Sequence, residues 1–150
     1  MHIYRITSGD ISLSSTVAKT ALQLVTGSTR KAKLLEFGFS FASVTSTDGP
    51  VLAEFLVNSS AGTSSSYTPI AIDLTDPAAI STALNTFTAE PTGTTAAGPG
   101  PLRCTPVGGL FVYPFAQGVE LVVPISTRLG LRLTAPSALS NVSAYILVQE

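Results

Sequence analysis

The sequence predicts an all-β protein built as a two-sheet sandwich, and three observations predict it. Apolar residues alternate with a period of two, most clearly in residues 31–41, KAKLLEFGFSF, and at Leu129, Leu131 and Leu133. Clusters of Gly, Pro, Ser, Thr and Asp interrupt that alternation every roughly 8 to 15 residues. Charged residues make up only 11% of the chain, so hydroxyls must wet much of the surface, which suits strands better than helices.

Residues 31–41 are the stretch around which the others are arranged. Lys33, Leu35, Phe37, Phe39 and Phe41 form one row, and Leu34, Glu36, Gly38 and Ser40 the other. Three phenylalanines on one face bring more apolar area than any other stretch, so this strand is expected at the centre of a sheet. Gly38, opposite that row, marks a bulge or a close backbone approach.

From the N-terminus, residues 2–6 read as a short edge strand turned by Gly9-Asp10, and residues 20–25, TALQLV, as a second strand. After the central strand, the polar turn at 44–50 leads into VLAEFLV, 51–57, and the two read as a hairpin. Residues 58–69 are a polar loop, and Ile70, Ile72 and Leu74 a brief strand. Asp76 and Pro77 carry the helix-start signal, and Ile80, Ala83, Leu84 and Phe87 an apolar stripe, so a short helix is expected over 77–86. Residues 88–101, TAEPTGTTAAGPGP, have no periodicity and read as a long loop, from which Thr94–Gly98 could be removed without loss of the fold. Strands follow at 102–107, from Leu110 to an edge-demoting Pro114, at 119–125, at 128–134 and at 142–148. The two ends of the chain fall in one sheet by this reading. The total is about eight strands and one short helix in a single domain, 1–150, and the long crossovers at 58–69 and 88–101 favour a jelly-roll-like sandwich over a meander.

The residue inventory argues against most chemistry. The net charge is -1, and the only basic cluster, Arg30, Lys31 and Lys33, reads as a solvated turn, so no nucleic-acid groove is expected. No apolar segment has the length of a signal peptide or a membrane span, which implies synthesis in the cytoplasm and no membrane partner. Cys104 is the single cysteine and is expected to be a buried or half-buried structural thiol. His2 is the single histidine, at an end expected to fray, so neither a triad nor a histidine metal cluster can be assembled. Glu36 and Glu54 fall on neighbouring expected strands, where they could face each other as a carboxylate pair, but salt bridges to Lys33, Arg128 or Arg132 explain them as well. Asp73 and Asp76 read as turn and cap residues rather than calcium ligands. The expectation is a non-enzymatic protein with no cofactor and no metal.

The segments Arg30-Lys31-Ala32-Lys33-Leu34-Leu35-Glu36-Phe37-Gly38, Asp76-Pro77-Ala78-Ala79, Thr88-Ala89-Glu90-Pro91-Thr92, Gly108-Gly109, Arg128-Leu129-Gly130-Leu131-Arg132 and Thr134-Ala135-Pro136 resemble small structural proteins of tailed-bacteriophage virions. The resemblance spans about residues 15–150. It implies a jelly-roll-like decoration or cement protein on the capsid surface, a homotrimer seated on the major capsid protein, without cofactor or catalysis. Members of that shape also occur in fibres and adhesion devices, so the alternative is a receptor- or carbohydrate-binding sandwich, with Tyr67 and Tyr113 beside Asn58 as its candidate rings. The residues agree with a surface-binding role. A second apolar row (Leu52, Leu56, Phe111, Phe115, Tyr145, Leu147) exceeds what a solvated face needs, and Phe111, Tyr113, Phe115, Tyr145 and Leu147 are the candidate interface.

Overall fold

The computed structural model describes residues 1–45, 47–93 and 95–150. Its strands are β1 (Ile3–Leu13), β2 (Ala18–Val25), β3 (Ala32–Ser43), β4 (Val51–Asn58), β5 (Thr63–Tyr67), β6 (Ile70–Ala71), β7 (Thr82–Ala89), β8 (Thr95–Cys104), β9 (Leu110–Pro114), β10 (Leu121–Val123), β11 (Arg128–Thr134) and β12 (Leu139–Gln149). The helical element among the described residues is a single 3-10 turn, Pro106–Gly108. The first sheet runs β6–β1–β12–β3, with β9 and β10 sharing the far side of β3; the second runs β5–β7–β2–β11–β4–β8. All strand pairs are antiparallel.

The sheets close on one apolar core. Phe37 and Phe39 of β3 are 1% exposed, and the Phe37 ring meets Phe55 of β4 edge-on at 4.8 Å, which joins the two layers. Leu129, Leu131 and Leu133 fill the opposite wall, as their alternation requires. The central position of residues 31–41 therefore holds, but the row does not run straight. The β3–β12 register shifts between Leu147↔Glu36 and Val148↔Leu34, so Leu35 is an extra residue. Beyond that bulge the core face is taken by Ala32 and Leu34, and Lys33 turns to solvent.

Several sequence expectations are corrected. Residues 2–6 are no edge: β1 lies between β12 and β6, and Gly9-Asp10 is a bulge inside it, with Gly9 at φ 65°. The Ser8 hydroxyl accepts the Ala144 N–H there, replacing a ladder bond. The strands on either side of 44–50 form no hairpin, because β3 and β4 belong to different sheets; Ser46 of that turn lies outside the described residues. The helix over 77–86 is absent. The Ile80 and Ser81 N–H groups donate to the Glu150 carboxylate at 2.9 and 3.0 Å, and Tyr4 Oη donates to the Pro77 carbonyl. Tertiary partners thus take the backbone groups a helix would use, and Ala83, Leu84 and Phe87 are buried from strand β7. The expected loop at 58–69 contains β5, and that at 88–101 overlaps the end of β7 and most of β8; β5 and β8 are the two edges of the second sheet. Thr95–Ala97 pair with β4, so removing that stretch takes away ladder bonds rather than slack; Thr94 lies outside the described residues.

Candidate functional site

Of the five interface candidates, the structure separates three rings from two outward side chains. Phe111 and Tyr113 of β9 pair with Phe39 and Phe37, and the ring centroids lie 4.9 and 5.4 Å from those two. Phe115 stands 6.1 Å from Phe37. These three rings lie on the inner face, half-buried at the open side of the sandwich. The outer side of the same strand is carried by Leu110 and Val112, both exposed.

Tyr145 and Leu147 point outward from β12. Tyr145 pairs with Gly38, whose missing side chain lets the ring lie against the backbone: a Cβ there would stand 2.5 Å from Tyr145 Cε1. The Tyr145 hydroxyl donates to Glu36 Oε1 at 2.6 Å. Burial and then the neighbouring Glu36 carboxylate push the phenol up to about 12. Across the face, Arg5 pairs with Leu147, Leu147 with Glu36 and Glu36 with Pro114, while Thr7 pairs with Tyr145. Arg5, Thr7, Ser143 and Tyr145 line a shallow hollow of about 280 Å3. The outer face of the first sheet is thus a mixture of apolar and hydroxyl side chains, with Arg5 and Glu36 near its middle.

Beside this face is a larger feature that sequence reasoning missed. β9 and β10 are two pieces of one edge, interrupted by residues 115–120 opposite the Leu35 bulge, where Phe115 N–H donates to the Leu35 carbonyl at 2.9 Å. The interruption is a turn closed by Val119 N–H on the Ala116 carbonyl, with Gly118 at φ 87° and Val119 71% exposed at its tip. On the second sheet, residues 98–101, GPGP, bulge out of β8 between its pairings at Ala97 and Leu102. Between the two bulges is a groove of about 670 Å3 lined by Pro99, Tyr113, Phe115, Val119 and Leu121, with Glu120 at its rim. The signal was present in the sequence: residues 105–127 carry one charge, Glu120.

The remaining candidates are accounted for by structural contacts. Glu36 and Glu54 lie in different sheets, so they form no pair; Glu54 Oε2 accepts from Arg132 Nη2 at 3.1 Å. Asp76 bonds His2 Nδ1 at 2.7 Å, and Asp73 accepts from the Thr75 N–H and hydroxyl. His2 is not frayed, since its backbone exchanges two hydrogen bonds with Glu150. Tyr67 is tied by its hydroxyl to the Thr7 backbone, and Asn58 is buried against Gln23. No group of three or more His, Cys, Asp or Glu with metal-binding geometry exists among the described residues. The chain matches no protein-family model and no curated protein.

Cys104 is half-buried, and desolvation pushes its thiol up to about 11 from an ordinary 9.0. A raised acid pKa favours the neutral form in the fold, so this contribution is complete below pH 9.0 and is lost as pH rises through about 11. Tyr145 adds the same sign between 10.0 and about 12. Stability is therefore expected to be level from about pH 7 to 9 and to fall above it, with Cys104→Ser removing the earlier part of the fall. Denaturant midpoints across that range measure it; a midpoint that rises above pH 9 contradicts the assignment.

Proposed function

We propose that this protein is a non-enzymatic structural component of a phage virion, which decorates and stabilises the capsid surface by seating on the major capsid protein as a homotrimer. The observation that carries the reading is the outer face of the first sheet. Ile3, Leu35, Tyr145 and Leu147 make it more apolar than a solvated sheet face needs, and its middle charges, Arg5 and Glu36, are few enough to be desolvated or paired in a contact. Such a flat face suits a protein lattice better than a small substrate, which calls for a deep cavity.

The strand order supports a jelly-roll assignment. Setting aside β5, β6 and β7, the chain alternates between the sets β9/β10–β3–β12–β1 and β2–β11–β4–β8 except at β4 and β8, which follow each other side by side in the second set, the order of a double Greek key. Fold alone does not select a role, so the weight rests on the face.

The second reading is a receptor- or carbohydrate-binding sandwich of a fibre or adhesion device. The Tyr145 ring held against Gly38, beside Arg5, Thr7 and Ser143, is the observation that favours it.

Co-sedimentation of the purified protein with undecorated shells of the virus that encodes it tests the first reading. Saturable binding to the shell is expected, reduced at least about tenfold by Leu147→Asp, a half-buried outward position where a charge must be desolvated on contact. Absence of shell binding together with specific hits on a glycan array would replace the first reading by the second.

A further inference from the structure

Among the described residues, twelve large apolar side chains are exposed, and they are not scattered. Six of them, Val107, Leu110, Val112, Val119, Val122 and Ile125, fall in residues 107–125, on and around the β9–β10 edge. Four more, Ile70, Ile72, Leu74 and Ile80, fall in residues 70–80, the segment that starts as β6 and runs outside β1. β10 and β6 are the opposite ends of the first sheet. One chain therefore carries two apolar edges on opposite sides of the sheet, which approach each other only where Ile80 rests on Gly27, the residue whose carbonyl accepts from Ser126.

We infer that the occupant of each edge is a second copy of this chain: the β9–β10 edge of one copy packs on the 70–80 segment of the next, head to tail, in a closed ring. Area and edge chemistry support this occupant, and charge does not oppose it. Scaled by their exposures, the six side chains leave on the order of 500 Å2 of apolar surface and the four on the order of 400 Å2, each as large as the biggest patch of an ordinary monomer. A standard interface hides about 1,600 Å2, of which roughly 900 Å2 is apolar, the amount one edge laid on the other supplies. Pairing the β9–β10 edge with itself would leave the 70–80 segment bare, whereas one head-to-tail contact repeated around a ring covers both.

Charge is mixed at both edges. Exposed Lys31 and Lys33 flank Val122, with the Glu150 and Glu120 carboxylates beside them, and neither lysine has an ion-pair partner among the described residues. Residues 68–81 hold Asp73 and Asp76, with Arg5 paired across from Ile70 and His2 bonded to Asp76. Opposite charges stand beside each edge, so neither strongly repels a second copy. The β9 edge also lacks the charges that normally block strand addition.

The inference deepens the shell-binding reading by naming the surfaces through which copies meet, and its test needs no shell. Light scattering of the purified protein from about 1 to about 100 μM is expected to give a multiple of the 15.4 kDa chain mass. Val119→Asp and Leu74→Asp each change a side chain already in solvent, 71% and 90% exposed, so both are expected to keep the wild-type melt while the mass falls to one chain. Mixing the two variants is the deciding measurement. Val119→Asp retains the 70–80 edge and Leu74→Asp retains the β9–β10 edge, so the mixture is expected to form dimers with one intact contact. A monomeric wild type at about 100 μM overturns the inference, as does a Leu74→Asp variant of wild-type mass, or a mixture that stays monomeric. A wild-type ring that ignores the shell in co-sedimentation would overturn the shell-binding reading and leave this one standing.

Discussion

Phe39→Asp and Leu131→Asp are each expected to unfold the protein. The two positions lie on opposite walls of the core, Phe39 on the central strand of the first sheet and Leu131 in the second, and they are 1% and 0% exposed. Phe39 stacks on Phe111 at 4.9 Å, meets Phe41 edge-on at 5.6 Å and lies 6.4 Å from the Phe37 ring, so aspartate there loses all three ring contacts and finds no cation to pair with. Leu131 is flanked along its strand by Gly130 and Arg132, but Arg132 points to the other face and is already bonded to Glu54. An unpaired carboxylate in such a site costs several kcal/mol even after it takes up a proton, against a total stability of about 5 to 15 kcal/mol for a domain. Leu131→Ala is the graded control: it removes about 2 to 5 kcal/mol and should leave a cooperative melt at lower temperature. Circular dichroism of the three variants measures this. A cooperative transition for either aspartate variant within a few degrees of wild type would show that the residue does not face the core.

What could be read in the sequence followed from where each strand lies. β2, β4, β11 and β12 have one face in the core and neighbours on both sides, so their apolar rows show plainly in Leu129–Leu131–Leu133 and in Val51–Ala53–Phe55. β5 and β8 are sheet edges. TSSSY and TAAGPGPLRC contribute little to the core, and an edge tolerates Pro99 and Pro101 because its outward N–H groups have no ladder to join. Composition alone makes such strands look like loops. The helix-start signal at Asp76-Pro77 was locally sound, but Asp76 went to His2, and Glu150, seventy residues away, took the Ile80 N–H. No local pattern reports that competition. The same holds for the sheet assignment of β3 and β4, which a polar turn joins as readily across two layers as within one.

The candidate site divides along the same line. Tyr145 and Leu147 were recognisable as an outward row because β12 alternates cleanly. The sequence puts Phe111 in the same surplus row and Tyr113 beside it as an interface candidate, yet both face inward because β9 pairs with β3 in a register that sets them beside Phe39 and Phe37. The edge that does stand open, with Val119 at its tip, depends on two bulges facing each other across the sandwich, at 115–120 and 98–101, and a bulge is a property of a pair of strands.

Gly38→Val is the substitution on which strand propensity and packing disagree most. Valine suits a strand better than glycine, and removing a glycine also restricts the unfolded chain, so propensity alone predicts a gain of up to about 1 kcal/mol. Gly38 carries no positive φ, so its backbone would accept a side chain. The space would not. A Cβ there stands 2.5 Å from Tyr145 Cε1, 2.8 Å from Tyr145 Cζ and 2.7 Å from the Phe111 carbonyl oxygen. The ring cannot yield freely, because its hydroxyl is bonded to Glu36 at 2.6 Å. The carbonyl is main chain of β9, whose Val112 pairs with Gly38 itself, so relief there means moving the edge strand off β3. Overpacking of this kind costs about 3 kcal/mol, with the two extra methyls at the upper end of the usual range. For a chain of this length that corresponds to roughly 6 to 12 °C in the melting temperature. Tyr145→Ala removes one of the two obstacles, so Gly38→Val should cost less in that background than in the wild type, yet still destabilise through Phe111. A Gly38→Val protein that melts at or above the wild-type temperature would show that propensity wins at this position and that the ring is not held against the β3 backbone.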